Sequence, residues 1–268
     1  MRQQLEMDKH LDSPIAYGRT AEIYAWDDGH ILKLFYDWFG RESIEYEAKI
    51  GRAVHAGGLP VPAVGKIVAV NGRNGLIYQR FAGVALWELL PQKPWTIWRY
   101  ARRMAALHAE MHANPLAPEI PDQRRRLVQK INGAQPLPEV LRAKALAALE
   151  TMPDGQAICH GDFHPGNVLA TPQGEVVIDW IDATRGNLLA DLARSSILAL
   201  GAAATSQTQN VIEKLMVRLF HAIYLRHYFA LRPGGQAEYG RWLPIIAAAR
   251  LSENIPELEQ WLLAQADK

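Results

Sequence analysis

The sequence predicts an α+β protein of two lobes, and three observations support this prediction. Residues 1–81 contain short runs rich in β-branched and aromatic side chains, separated by glycine turns, which is typical of antiparallel strands. Residues 82–268 contain longer stretches with apolar residues at helical spacing. The chain has 268 residues, of which 49% are hydrophobic, and this is enough to bury a core in each lobe. We therefore expect an N-terminal five-stranded antiparallel sheet with one helix, followed by a mostly helical C-terminal lobe.

Turn residues place the five strands of the first lobe. Asp27-Asp28-Gly29 is a hairpin turn between the second and third strands. The asparagine- and glycine-rich segment 71–75 has the composition of a hairpin loop between the last two strands. The predicted strands occupy residues 13–19, 21–26, 30–35, 63–70 and 76–81.

Lys33 lies in the otherwise apolar third strand. A buried ammonium is costly unless it is paired or bound to an anion, but strand alternation could equally place it on a solvent-exposed face. A helix predicted at 41–55 offers a partner, because Glu47 falls on its apolar face, whereas Glu45 aligns with Lys49 on the solvated face. Helical spacing therefore selects Glu47 as the acid that pairs with Lys33.

The second lobe is predicted to contain eight helices. Apolar residues recur there at the three- and four-residue spacing of amphipathic helices. The predicted ranges are 84–90, 95–112, 122–132, 138–151, 188–200, 208–231, 240–250 and 256–265. Between the fourth and fifth helices this pattern breaks, and a segment of a different kind occupies residues 158–179.

This segment, ICHGDFHPGNVLATPQGEVVID, is the most informative part of the chain. Asp162 and Asn167 lie in a loop containing glycine and proline, and two β-type runs around the turn at 171–174 lead to Asp179. Phosphoryl transfer from a magnesium nucleotide needs a carboxylate to accept the substrate proton and oxygen ligands to hold the metal. These side chains predict that chemistry, with Asp162 as the base and Asn167 and Asp179 as magnesium ligands.

The stretch HGDFHPGNVL followed by VIDW resembles the aminoglycoside phosphotransferase and choline kinase group of small-molecule kinases. Gly161 and Trp180 stand where protein kinases carry Arg and Phe-Gly, which favours the small-molecule branch. The resemblance implies a bilobal protein-kinase-like fold. It also implies ATP- and Mg-dependent phosphate transfer to a hydroxyl of a small alcohol or amino-alcohol.

The same resemblance implies roles for residues of the first lobe. Lys33, oriented by Glu47, would contact the α- and β-phosphates of the nucleotide. Gly18 would lie in the loop over the phosphates, and Gln79 and Phe81 would lie at the hinge beside the adenine. A single glycine and a strand end before a turn are also ordinary structural features, so the residues alone leave these last roles open.

The resemblance further implies two supporting residues in the second lobe. His160 would hold the catalytic loop, and Asp191 would brace it by accepting backbone N–H bonds at a helix start. By its position alone, Asp191 could also be a solvated helix acid. His108 and His112 are spaced to bind a metal, but we expect no metal there because no further Cys or His cluster completes a site.

Two other functions remain as alternatives. His160, Asp162 and His164 could suggest a metallohydrolase, but that interpretation leaves Asn167 and Asp179 without a role. A catalytically inactive nucleotide-binding module of the same fold is the second alternative. It is disfavoured because every catalytic part has a candidate residue in this chain.

The acceptor is not determined by the sequence, since relatives of this kind act on aminoglycosides, choline, ethanolamine, homoserine or sugar amines. A polycationic aminoglycoside would favour a pocket lined by carboxylates, and a quaternary ammonium would favour an aromatic cage. Both kinds of side chain occur in the second lobe, so both remain open. The candidates are Glu213, Glu238 and Glu253, and Trp98, Tyr224, Tyr228 and Trp242.

The composition of the chain bears on its binding partners and on its cellular compartment. The formal net charge is +1, so the charge balance predicts binding to neither nucleic acid nor an anionic membrane. The single cysteine, Cys159, can form no internal disulfide, and we expect a buried core thiol. The polar N-terminus does not resemble a signal peptide, and the apolar stretch 188–204 contains Asp191 and Arg194 and should fall short of a membrane span. We expect a cytoplasmic protein, and the oligomeric state stays open.

Overall fold

A computed structural model describes residues 6–7, 11–114, 120–205 and 211–268 of the chain. The predicted α+β class is confirmed, and the chain forms two compact units. The first unit comprises Met1–Ala85 with Val168–Ile181, and the second comprises Leu86–Asn167 with Asp182–Lys268. The segment Val168–Ile181 thus clusters with the N-terminal part of the chain. The domain boundary at residues 81 and 82 stays a prediction.

The first unit contains the predicted antiparallel sheet. Its strands are β1 (Glu6–Met7), β2 (Ala16–Tyr17), β3 (Ala21–Asp27), β4 (His30–Phe35), β5 (Val64–Val70) and β6 (Arg73–Gln79). They are ordered β1-β5-β6-β4-β3-β2. The five predicted strands are β2 to β6, which pair antiparallel, whereas β1 pairs parallel with β5 and was not expected. A strand of two residues is too short to show a period in the sequence.

The turn between β5 and β6 is shorter than the predicted loop at 71–75, and this prediction is wrong. Asn71 and Gly72 both adopt left-handed backbone conformations, with φ of 49° and 79°. Two such residues close a hairpin without further loop residues, so β6 begins at once at Arg73. The Arg73 side chain donates to Glu22 Oε2 on β3 at 2.7 Å.

One helix, α1 (Arg41–Ala56), packs on one face of this sheet. Its residues Ile44 and Ala48 join sheet residues in one buried cluster, and a second cluster on the sheet includes Leu32 and Leu34. Because side chains alternate along β4, Lys33 points away from its two leucine neighbours. Lys33 therefore faces the helix and not the solvent, which settles the alternative that its sequence position left open.

A second, three-stranded sheet completes the first unit. It is formed by β7 (Val84–Ala85), β9 (Val168–Thr171) and β10 (Gly174–Val177), in the order β10-β9-β7. The predicted hairpin between β9 and β10 is present, with Thr171 paired to Gly174. The backbone N–H of Val177 donates to the Pro60 carbonyl at 2.9 Å, which fixes the end of β10 just before Asp179.

The second unit is mostly helical, as predicted. Its helices are α2 (Leu86–Gln92), α3 (Ile97–Ala113), α4 (Gln123–Gly133), α5 (Glu139–Glu150), α6 (Leu188–Thr205), α7 (Val211–Leu231), α8 (Gln236–Arg250) and α9 (Pro256–Ala266). A two-stranded sheet, β8 (Ala157–Cys159) and β11 (Thr184–Gly186), carries the loop that follows. Residues 208–210 of the predicted sixth helix lie outside the described residues. Cys159 is fully buried, and burial raises the pKa of its thiol well above the usual value, as expected of a core residue.

Helix α6 is the centre of this unit. By length and composition it could cross a membrane, with a mean hydropathy of 1.3, so the expectation that this stretch falls short of a span is wrong on those criteria. However, 61% of its residues are buried, and it carries Asp191 and Arg194. These observations fit the core helix of a folded domain, where apolar residues face neighbouring helices.

Candidate active site

The first group of candidate residues surrounds Lys33. Its Nζ donates to Glu47 Oε1 at 2.7 Å, and the Tyr78 hydroxyl donates to the same oxygen at 2.7 Å. The side chains of Lys33 and Glu47 are 15% and 4% exposed, so this ion pair is buried. Glu45 lies on the outer face, where it accepts from Arg41. The predicted pairing of Lys33 with Glu47 is therefore present.

Asp179 completes this group from the end of the β9–β10 hairpin. Its backbone has φ of 63°, a left-handed conformation that costs a non-glycine residue roughly 1–3 kcal/mol. Its Oδ1 lies 3.6 Å from Lys33 Nζ, and its side chain is 44% exposed. Burial alone would lower the pKa of Lys33, but Asp179 and Glu47 outweigh it and raise that pKa. The group therefore holds a charged ammonium beside an accessible carboxylate.

The second group surrounds Asp162, in the loop after β8. Asn167, at the end of the 3₁₀ turn Pro165–Asn167, donates from Nδ2 to the Asp162 carbonyl at 2.9 Å and to its Oδ2 at 3.3 Å. Arg194 Nη2 donates to Oδ1 at 3.3 Å, and His164 Nε2 lies 3.5 Å from Oδ2. Donors on both oxygens fix the orientation of the carboxylate.

These donors also determine the charge of Asp162. Burial disfavours the carboxylate, but His164 and Arg194 outweigh burial and hold the pKa of Asp162 well below its usual range. The side chain remains 27% exposed, so it can reach a ligand. A carboxylate of low pKa is a weak base, which suits phosphoryl transfer because its transition state is loose and depends mainly on positioning.

Asp191 holds the backbone of the loop, as predicted. Its Oδ2 accepts from the His160 N–H at 2.7 Å and its Oδ1 from the Gly161 N–H at 2.8 Å. Asp191 is 1% exposed, so it is not the solvated acid that its position alone allowed. Gly161 has φ of 79°, and a Cβ there would collide with the Asp182 carbonyl oxygen. The loop therefore requires both the acid and the glycine.

Two histidines extend this network into α3. His108 Nε2 and His112 Nε2 lie 2.9 Å and 3.3 Å from Asp191 Oδ2, and their Nδ1 atoms lie 2.5 Å and 2.6 Å from the hydroxyls of Tyr224 and Tyr228 on α7. Neutral imidazoles that donate from Nε2 and accept at Nδ1 satisfy every one of these groups. His108, His112 and Asp191 are also close enough to share a metal ion, a grouping that sequence separation concealed.

A fully buried histidine, His108, and a partly buried one, His221, predict that the protein loses stability in acid. Burial lowers the pKa of both His108 and His221 to about 4. Between about pH 6.5 and pH 4 the unfolded chain binds these protons and the folded chain does not, so the free energy of unfolding falls on acidification. Each histidine contributes roughly 3 kcal/mol to this fall at most. We expect urea unfolding measured at several pH values to show this fall in the free energy of unfolding between about pH 6.5 and pH 4. In a His221→Asn variant the fall should be smaller. A variant of an exposed histidine, His30→Asn, is the control.

Most of the candidate acceptor residues are engaged with partners or buried in the second unit. Glu238 accepts from Asn187 at 2.8 Å, and Glu253 accepts from Arg194 at 2.6 Å, so these carboxylates already have partners. Of the aromatic candidates, three are buried and one, Trp98, is 60% exposed; the buried ones are Tyr224, Tyr228 and Trp242. The helical spacing of these aromatic residues therefore reflects their packing in the core.

The remaining predicted residues lie in the first unit. The Gly18 N–H donates to the Ala21 carbonyl at 2.8 Å in the turn between β2 and β3. Gln79 ends β6, where its backbone N–H donates to the Ala63 carbonyl at 2.9 Å, and Phe81 follows it half-buried. The nucleotide-binding roles of Gly18, Gln79 and Phe81 stay predictions.

Comparisons with known proteins show the family and the fold of this chain. A family model described as the phosphotransferase enzyme family matches residues 39–233. No curated protein matches the chain. Among solved structures, a choline/ethanolamine kinase family protein from Mesorhizobium loti is 15% identical, with 97% of this chain and 87% of that chain covered and a TM-score of 0.63.

Two further structures are similar to a comparable degree. An amicoumacin kinase in complex with AMP-PNP and Ca²⁺ is 12% identical, with 97% and 88% of the two chains covered and a TM-score of 0.65. An aminoglycoside phosphotransferase from Streptomyces rimosus is 16% identical, with 88% and 92% covered and a TM-score of 0.59. These likenesses confirm the predicted fold, and the family match covers most of the chain. The chain belongs to the phosphotransferase enzyme family and is a phosphotransferase.

Proposed function

We propose that this phosphotransferase uses ATP and Mg²⁺ and that its acceptor is the hydroxyl of a small alcohol or amino-alcohol. The observation that carries the proposal is the buried Lys33–Glu47 pair beside the accessible carboxylate of Asp179. A buried ammonium held by one acid and facing a second is the arrangement that nucleotide phosphates and their metal require. The amicoumacin kinase, similar in fold, is named as a complex with AMP-PNP.

Each residue proposed as a magnesium ligand offers an oxygen of the kind that this ion prefers. Asp179 offers a carboxylate that is 44% exposed, and Asn167 uses its Nδ2 toward Asp162, which leaves its amide oxygen for a metal. Mg²⁺ prefers oxygen ligands and is commonly held by one or two protein groups together with phosphates and water. When bound, magnesium would supply neutralisation of charge on the phosphates.

The side chains of the protein would each have a separate role in phosphate transfer. Lys33 would hold the phosphates, and Glu47 and Tyr78 would keep its ammonium in place. Asp162 would orient the acceptor hydroxyl and take its proton at Oδ1 or Oδ2. Asp191 would keep the loop in position. Most of the acceleration would then come from alignment and charge stabilisation, because no covalent intermediate is needed.

The acceptor itself is the open part of the proposal. The names of similar structures include aminoglycoside and choline or ethanolamine kinases, so these acceptors, together with homoserine and sugar amines, are the alternatives. The engaged carboxylates of Glu238 and Glu253 give no support to a polycationic acceptor over the others. The alternative from another functional class is a catalytically inactive module that binds a nucleotide. We also propose that the protein is located in the cytoplasm.

Magnesium-dependent consumption of ATP, measured against a panel of amines and alcohols, tests this function. We expect turnover above the background hydrolysis with at least one acceptor and loss of that turnover when EDTA removes the metal. Nucleotide binding measured by calorimetry without transfer to any acceptor would instead support the inactive module.

Lys33→Met tests the nucleotide contact. Loss of the ammonium removes the charge that the phosphates would meet, so we expect kcat/KM for ATP to fall about 10²-fold, as for other preorganised electrostatic contacts. Lys66→Met is the matched control, since Lys66 lies exposed on β5 of the same sheet. Thermal unfolding of both variants separates this effect from the loss of a buried ion pair. Equal activity of the two variants would show that Lys33 does not contact the nucleotide.

A further inference from the structure

Arg194 on α6 is joined to the catalytic loop by two separate hydrogen bonds. Its Nε donates to the Gly161 carbonyl at 3.0 Å, and its Nη2 donates to Asp162 Oδ1 at 3.3 Å. One guanidinium therefore fixes the backbone just before Asp162 and the carboxylate of Asp162 itself. The side chain is 10% exposed, so solvent competes little for these bonds.

The orientation of Arg194 is in turn set by Glu253. Glu253 Oε1 accepts from the same Nη2 at 2.6 Å, and Glu253 lies in the turn Leu251–Glu253 after α8. Lys130 and Arg250 also contact Glu253, at 3.9 Å and 3.5 Å. Because an arginine presents its donors in a rigid planar fork, fixing one edge of the fork fixes the others.

We propose that Arg194 is a positioning residue for the proposed transfer reaction, held in place by Glu253, and that it sets the position of the Asp162 carboxylate. The inference rests on the proposed function, because Asp162 is the group it positions. It predicts that Arg194 affects turnover more than nucleotide affinity. An error of about 1 Å in the position of a reacting group can cost about 10²-fold in rate.

A cavity makes this role testable by chemical rescue. The cavity, about 440 Å³ with its open mouth, is lined by Arg194 together with Arg126, Lys130 and Arg250. Truncation of Arg194 would extend this space toward Gly161 and Asp162. A free guanidinium ion could enter it and restore the missing donors, which a role in packing alone would not permit.

The test compares Arg194→Ala, Arg194→Lys and Arg126→Ala. Arg126 lines the same cavity and pairs with Asp182 at 2.6 Å, so its truncation controls for loss of a cavity-lining cation. We expect Arg194→Ala to lower kcat about 10²-fold with KM for ATP unchanged. Millimolar guanidinium should restore part of that kcat, with sodium chloride at equal ionic strength as the salt control. Arg126→Ala should change kcat little and should not respond to guanidinium.

Arg194→Lys keeps the charge but not the fork, so we expect only partial activity. A double-mutant cycle tests the part assigned to Glu253: adding Glu253→Ala to Arg194→Ala should cost nothing further, because the acid acts through the guanidinium. Additive losses would overturn the link to Glu253. An Arg194→Ala protein with normal kcat, or with a lowered kcat that guanidinium cannot raise, would overturn the positioning role.

A crystal structure of Arg194→Ala gives a result that does not depend on catalysis. Without guanidinium we expect the Gly161 carbonyl and the Asp162 carboxylate to be displaced, and with guanidinium soaked in we expect them to return. An undisplaced loop would overturn the inference even if the wild-type enzyme is active. A wild-type enzyme without magnesium-dependent transfer, but with the loop displaced in the variant, would overturn the proposed function alone.

Discussion

Asp162→Asn is expected to lower turnover about 10²- to 10⁴-fold, the range that a positioned acid or base contributes. The amide has the shape of the carboxylate but cannot accept the proton of the attacking hydroxyl. Nucleotide affinity should remain, because Lys33 and Asp179 are unchanged. The measurement is kcat with a saturating acceptor from the panel, together with ATP binding by calorimetry.

The fold should tolerate this change. The Asp162 side chain is 27% exposed, so water can solvate an amide donor that meets Asn167 or His164. Asp154→Asn is the matched control, since Asp154 also pairs with an arginine in the same unit but is 77% exposed. We expect that variant to keep normal turnover. Near-normal turnover of Asp162→Asn would show that another group accepts the proton.

The contrast between Lys33 and Arg194 shows what the sequence could predict. A lysine in an apolar strand and a glutamate on the apolar stripe of the next helix each violate their local pattern, and the two violations explain each other. Their contact at 2.7 Å could therefore be predicted without coordinates. Arg194 also interrupts an apolar helix, but its partners Gly161 and Glu253 are far along the chain, and no local spacing selects them.

The histidine network leaves a signal in the spacing of its residues along the sequence. His108 and His112 are four residues apart, and so are their partners Tyr224 and Tyr228. Equal spacing on two helices is expected when the helices pack side by side, and the order of the pairs, His108 with Tyr224 and His112 with Tyr228, shows that they run in the same direction. Within one segment, the histidine pair resembles part of a metal site and the tyrosine pair resembles part of an aromatic cage. Matching the two pairs with each other would have predicted the packing of α3 on α7.

Other differences between prediction and structure arise from interactions that produce no periodic pattern in the sequence. The turn at Asn71 and Gly72 depends on two left-handed residues, and composition alone cannot show whether such residues form a tight turn or a longer loop. The carboxylates proposed for an acceptor pocket were judged by residue type, whereas their availability depends on partners from other helices. Glu253 is held by three cations from α4, α6 and α8, which only the packed helices bring together.

Asp191→Asn is expected to have the largest effect on stability. The carboxylate is 1% exposed and accepts from two backbone N–H groups and two imidazoles. An amide replaces one acceptor oxygen with a donor, which then faces another donor in a buried site. Removing one partner from a buried charged network costs about 3–5 kcal/mol, and we expect a loss of that order in the free energy of unfolding.

The consequence should reach the catalytic loop even where the protein stays folded. Hydrogen exchange of the His160 or the Gly161 amide should become faster, and turnover should fall, because one of these two amides loses the acceptor that fixes the loop. Glu139→Gln is the matched control: Glu139 also lies in the first turn of a helix, but its side chain is 84% exposed, so we expect a change within about 1 kcal/mol. Burial disfavours the ionised form of Asp191, but the two histidines outweigh burial and hold the pKa of Asp191 well below its usual value. The contribution of Asp191 to the free energy of unfolding is therefore fully present above about pH 4. Measured at pH 7, unchanged exchange at His160 and Gly161 would show that the loop is held by other contacts, with Arg194 the first to examine.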